Sequence, residues 1–182
     1  MLRFNSDRKF KIMQIADTQE IPAVSPDTLS LINNALDREK PDLVIFTGDQ
    51  IKGYSKKFKK DPAIIEGTID TLVEPIAKRN IPFMVTYGNH DAQCGVDNRG
   101  QYKFYAKYDN FISGDLRNAD DVGTADIQIY SSTEDKPVFE LYIIDSHGKA
   151  KDGAGYAPVD KKQIEWLSLI HISEPTRPIS IS

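Results

Sequence analysis

The first half of the chain alternates apolar runs with stretches of helical spacing. Phe10, Ile12 and Ile15 mark a first strand over residues 10–16, ending at Asp17. Ser25-Pro26-Asp27 is a helix start, with serine as N-cap and proline at the first helical position. Leu29, Ile32 and Leu36 follow on one helical face until Pro41. Leu43-Val44-Ile45-Phe46 is continuously apolar, as a strand covered on both faces requires. Asp61-Pro62 opens a second helix whose Ile65, Ile69, Leu72, Val73 and Ile76 share a face, with Pro75 expected to kink or shorten it. Ile81 to Thr86 is a third strand. Strand, helix, strand, helix, strand with short links predicts an α/β domain with a parallel sheet and right-handed crossovers. Further on, Gln101–Tyr108 reads as a short helix, residues 125–131 and 138–144 as strands, and Asp160–Trp166 as the opening of a helix.

Composition narrows the function classes. The 182 residues are 40% hydrophobic, enough for one ordinary domain with its own core. A net charge of -4 provides no whole-domain field for nucleic acid or anionic membrane. No apolar segment is long enough to span a bilayer, and residues 1–11 carry no signal-peptide pattern, so a cytoplasmic location is expected. The single cysteine, Cys94, excludes an intramolecular disulfide framework and reads as a loop thiol. Oligomeric state has no signature here.

The chemistry concentrates at three strand ends. Asp17-Thr18-Gln19, Gly48-Asp49-Gln50 and Gly88-Asn89-His90-Asp91 each follow a predicted strand. In open α/β sheets, ligands sit beyond the carboxyl ends of the strands, so the three turns predict one shared site. Aspartate suits a bridge between two cations because both its oxygens coordinate, and asparagine or glutamine adds an uncharged oxygen. A histidine nearby can protonate a leaving oxygen, and a hydrogen-bonded aspartate can fix its tautomer. Lys56-Lys57-Phe58-Lys59-Lys60 reads as a solvated loop, with attraction of phosphate as the other reading.

These three turns resemble the first three motifs of the calcineurin-like metallophosphoesterases, and Gly88-Asn89-His90-Asp91 is the most specific of them. Asp145-Ser146-His147-Gly148 and Gln163-Ile164-Glu165-Trp166 resemble a purple-acid-phosphatase-like subgroup from bacteria, fungi and plants. The resemblance spans residues 9–166 and implies a four-layer α/β/β/α sandwich, incomplete at its C-terminus, that hydrolyses phosphate mono- or diesters at a dinuclear metal site. It implies Asp17 as a ligand of the first metal, Asp49 as the bridge, Asn89 as a ligand of the second, His90 as general acid and Asp91 as the group orienting His90. Gln19 stands where the family has histidine, and its harder oxygen favours Mn²⁺ or Mg²⁺, with Fe²⁺ or Zn²⁺ as alternatives. Lys52 stands where the iron-binding purple enzymes carry tyrosine, so no iron-tyrosinate centre is expected. The resemblance implies a phosphate-ester substrate. The alternative is a degenerate member acting as a binding or regulatory domain.

Residues 167–177, Leu-Ser-Leu-Ile-His-Ile-Ser-Glu-Pro-Thr-Arg, match the translation of a transposase adapter used in DNA sequencing. The expectation is therefore an authentic domain segment over 1–166, a non-native tail over 167–182, and C-terminal histidine ligands that this chain lacks.

Overall fold

The computed structural model describes residues 1–114, 121–150, 153 and 155–173, with side chains described through residue 168. In chain order the elements are β1 (Leu2–Arg3), β2 (Ile12–Ile15), α1 (Pro26–Glu39), β3 (Leu43–Thr47), α2 (Pro62–Ala77), β4 (Phe83–Thr86), α3 (Asn98–Ala106), β5 (Ala125–Tyr130), β6 (Pro137–Ile143) and α4 (Lys161–Ser173). Ser25 caps α1 by accepting from the Asp27 N–H, and Asp61 caps α2 by accepting from the Ala63 N–H; Pro26 and Pro62 occupy the first helical positions. Pro75 sits in the last turn of α2, which ends two residues later, so the proline shortens the helix without interrupting its apolar face.

Two sheets form. β2, β3 and β4 are parallel and adjacent in that order, while β1 pairs parallel and β6 antiparallel with β5. The alternation of side chains along β3 explains its unbroken apolar sequence. Val44 and Phe46, with Phe83 and Val85 of β4, pack on the face covered by α1, α2 and α3 through Ile32, Leu36, Ile65, Ile69 and Tyr105. Leu43, Ile45 and Met84 point the other way, onto Leu2, Ala125, Ile127, Ile129 and Ile143 of the second sheet. Helices on one face and a sheet on the other establish the α/β class expected for the chain. Phe46, fully buried at the centre, is worth about 2–3 kcal/mol of hydrophobic stabilisation by itself.

Register positions the candidate site. Ile15, Phe46 and Val85 lie in one row across β2, β3 and β4, so the three chains leave the sheet nearly level with one another. The pairing continues past the strands: Asp17 N–H donates to Gly48 O, Gln19 N–H to Asp49 O, Glu20 N–H to Gln50 O and Lys52 N–H to Glu20 O.

The chain divides into two units, residues 1–145 and 146–182. Within the second, Lys149 and Tyr156 form an antiparallel bridge, His147 adopts a left-handed backbone conformation (φ 63°), and α4 follows. α4 extends through residues 167–173 of the segment read as adapter; residues 174–177 of that segment lie outside the described residues.

Candidate metal centre

The turns after β2 and β3 are built from backbone that side-chain-bearing residues rarely adopt. Asp17, Gln19 and Asp49 all have positive φ, at 54°, 44° and 53°. Left-handed non-glycine residues cost free energy, and such strain gathers where a site needs a side chain aimed in one direction. Two glycines let the turns close. A Cβ on Gly48, which sits at φ 104°, would lie 2.6 Å from the backbone nitrogen of Gly88. A Cβ on Gly88 would lie 2.1 Å from Oδ1 of Asp49. The second and third turns are therefore in backbone contact, which only glycine permits at these positions.

Within this frame the candidate ligands make few bonds through their oxygens. Among the described residues, no hydrogen bond or ion pair reaches the side chains of Asp17 or Asn89. Gln19 Oε1 receives only a long contact, 3.5 Å, from the Tyr54 hydroxyl. Asp49 is buried and accepts one bond at Oδ1, from the His90 N–H at 2.9 Å. Two carboxylates and two amides, carried by turns whose backbones are mutually bonded, make an all-oxygen donor set suited to hard divalent cations. That chemistry fits the expected assignment of Asp17, Gln19, Asp49 and Asn89 as ligands.

Asp91 takes a different place from the one expected for it. Its carboxylate makes no bond to the His90 ring. It accepts from three backbone N–H groups, those of Asp49 at 2.7 Å, Gly88 at 2.8 Å and Ile51 at 3.2 Å. With the Gln50 amide turned so that both its ends are satisfied, a side-chain N–H reaches the same carboxylate at 3.2 Å. Asp91 is 1% exposed, and burial pushes its carboxyl up to about 6 against the opposing pull of those backbone donors. It is a clasp between the second and third turns.

The His90 ring is oriented by other residues. Its Nδ1 lies 3.1 Å from Gln93 Oε1, and the Tyr54 ring meets it edge-on with centroids 4.8 Å apart. With the amide oxygen accepting, Nδ1 carries the hydrogen and Nε2 is left to exchange a proton with a ligand. Neither Tyr54 nor Gln93 stood out in the sequence. Gln93 lies three residues beyond His90, inside a one-turn helix over Asp91–Cys94, and this spacing was the available signal. The same turn buries Cys94.

Beneath the turns, Asp145 at the end of β6 is buried and accepts from Asn98 Nδ2 at 3.0 Å. Gly123 makes room for it: a Cβ there would lie 2.8 Å from the Cβ of Asp145. Tyr87 is packed alongside, and burial raises its hydroxyl well above the ordinary value, with Tyr105, Asp91 and Asp145 adding to the effect.

Comparison with known proteins agrees with this architecture. The family model described as calcineurin-like phosphoesterase matches residues 10–180. The chain is 31% identical to the phosphatase DCR2 of Saccharomyces cerevisiae, over 91% of this chain and 32% of that protein. It is 28% identical to an Arabidopsis thaliana protein named "Probable inactive purple acid phosphatase 14", over 85% of this chain and 44% of that protein. The chain thus spans a third to a half of the length of these relatives. Its fold is similar to that of a dimetal phosphatase from Danio rerio, with a TM-score of 0.59 at 14% identity, covering 88% of this chain and 64% of that one. The strand-end turns, the two packed sheets and the family match together place the chain in the calcineurin-like phosphoesterase family.

Proposed function

We propose that the protein is a metal-dependent phosphoesterase that hydrolyses phosphate mono- or diesters at the turns following β2, β3 and β4. Asp17, Gln19, Asp49 and Asn89 hold two divalent cations, with Mn²⁺ favoured by the all-oxygen donor set. When bound, such ions polarise phosphoryl oxygens and lower the pKa of water. The chain's own part is positioning and proton movement. Asp49 is fixed by the His90 N–H at one oxygen, which leaves the other free to coordinate. His90, held at Nδ1 by Gln93, presents Nε2 to the leaving oxygen and protonates it as the ester bond breaks. The observation that carries this reading is the contrast in bonding: the backbones of the turns are interlocked, while the oxygens of Asp17 and Asn89 have no partner among the described residues.

The test is Mn²⁺-dependent turnover of p-nitrophenyl phosphate and bis-p-nitrophenyl phosphate, with metal content measured on the same samples. Turnover that appears with Mn²⁺, disappears in Asp49→Ala and falls in His90→Ala at unchanged metal content supports the reading. A folded protein that neither binds Mn²⁺ nor hydrolyses either ester rejects it.

Gln19, standing where the family has histidine, supports a second reading: a family member that binds phosphate esters or partners without hydrolysing them. An Asp49→Ala variant with the same residual rate as the parent would favour that reading.

A further inference from the structure

Five lysines fall within nine residues, Lys52, Lys56, Lys57, Lys59 and Lys60, in a chain whose net charge is -4. No acidic residue occurs between Glu20's bridge partner Ile51 and Lys60 in sequence, and no ion pair involving these five is present among the described residues. Elsewhere Arg3 pairs with Asp135, Lys11 and Arg38 with Glu39, Lys78 with Glu74, Arg79 with Asp37, and Lys107 with Glu66 and Asp70, while Arg8, Lys40 and Lys103 stand singly without an ion pair among the described residues; only over 52–60 do unpaired cations cluster. Lys59 and Lys60 are also consecutive left-handed residues, at φ 53° and 57°, Lys59 as the C-cap of a one-turn helix over Lys56–Phe58.

The same turn forms one side of an open surface pocket of about 370 Å³ lined by Tyr54, Ser55, Lys56, Lys59, Lys60 and Gln93. Tyr54 and Gln93 are the two residues that hold the His90 ring, so the cavity and the candidate general acid share a wall. We infer that this cavity binds a second phosphate group, carried by the leaving-group side of the substrate. The inference rests on the phosphoesterase reading for its placement, because His90 faces the leaving oxygen there. Lysine heads on flexible stems are point charges that suit a tetrahedral dianion, and Ser55 with the Gln93 amide adds hydrogen-bonding capacity. The substrates favoured are thus esters with two phosphate groups.

The experiment needs neither metal nor turnover, so a failed pocket and a failed hydrolase give different results. The full chain, stripped with EDTA, is titrated with inorganic pyrophosphate at low ionic strength while backbone amide NMR shifts are followed. Saturable shifts at Gly53, Ser55 and Gln93 are expected. Affinity should fall at least tenfold in the triple variant Lys56→Gln, Lys59→Gln, Lys60→Gln, which keeps the stems and removes the charge, and Lys56→Gln alone should show part of that loss if the triple variant fails to fold. Shifts centred on other residues, no saturation, or affinity unchanged in these variants would overturn the inference.

Discussion

The turns after β2 and β3 and the turn after β4 all carry aspartate, yet they use it in opposite ways. Asp17 and Asp49 sit on left-handed backbone and leave carboxylate oxygens uncommitted; Asp91 begins a regular helical turn and gives both oxygens to backbone N–H groups. Asp17 is exposed and Asp91 is among the most buried polar residues. Acids in a cluster can be sorted this way: a carboxylate surrounded by backbone donors holds structure, and one carried on strained backbone with an oxygen left unbonded is available for a ligand.

Substitutions at the two kinds of aspartate should have opposite effects. Asp49→Ala is expected to lower Mn²⁺-dependent turnover by on the order of 10³-fold, from loss of a proposed metal ligand, while unfolding free energy changes by only about 1 kcal/mol for the one bond to His90. Turnover assays and urea titration on the same preparation check both halves. Asp91→Ala inverts the pattern. Three backbone N–H groups lose their acceptor in a buried place, and stability should fall by about 3–5 kcal/mol, read as a lower urea midpoint. Gly88→Ala should act on both, since its Cβ meets Asp49 Oδ1 and backbone at 2.5 Å that cannot move aside; weakened Mn²⁺ binding together with a lower midpoint is expected. His90→Ala should cost about 10²-fold in kcat with metal content unchanged. Equal loss of metal would remove His90 from its place as acid. Tyr54→Phe sharpens the comparison at its smallest end: it keeps the ring against His90 and removes only a 3.5 Å contact to Gln19, so turnover should change by less than about twofold.

Much of the fold was legible because its signals are local. Leu43–Phe46 announced a two-sided strand, and Ser25-Pro26 and Asp61-Pro62 announced helix starts that the structure bears out. β1 was not legible: Leu2 and Arg3 are ordered by pairing with Ile129 and Tyr130, which no short window contains. α3 begins at Asn98, earlier than its apolar pattern suggests, because Asp97 accepts from Gly100 N–H and caps it. The site divided the same way. Residue types at strand ends pointed to Asp17, Gln19, Asp49, Asn89 and His90 as candidates. Their neighbours gave no such sign. Asp91 beside His90 suggested a pair, and the actual partners depend on loop closure: Gln93 through one helical turn, and Tyr54 through a loop that brings Gly53 against His90 O.

The most direct test of the distinction between the two kinds of aspartate is Mn²⁺ titration of the chain, followed by paramagnetic broadening of assigned amide resonances. At low metal ratios, broadening should centre on Asp17, Gln19, Asp49 and Asn89 and be lost in Asp49→Ala. Broadening that instead spreads over exposed surface carboxylates, or that survives Asp49→Ala unchanged, would contradict the account.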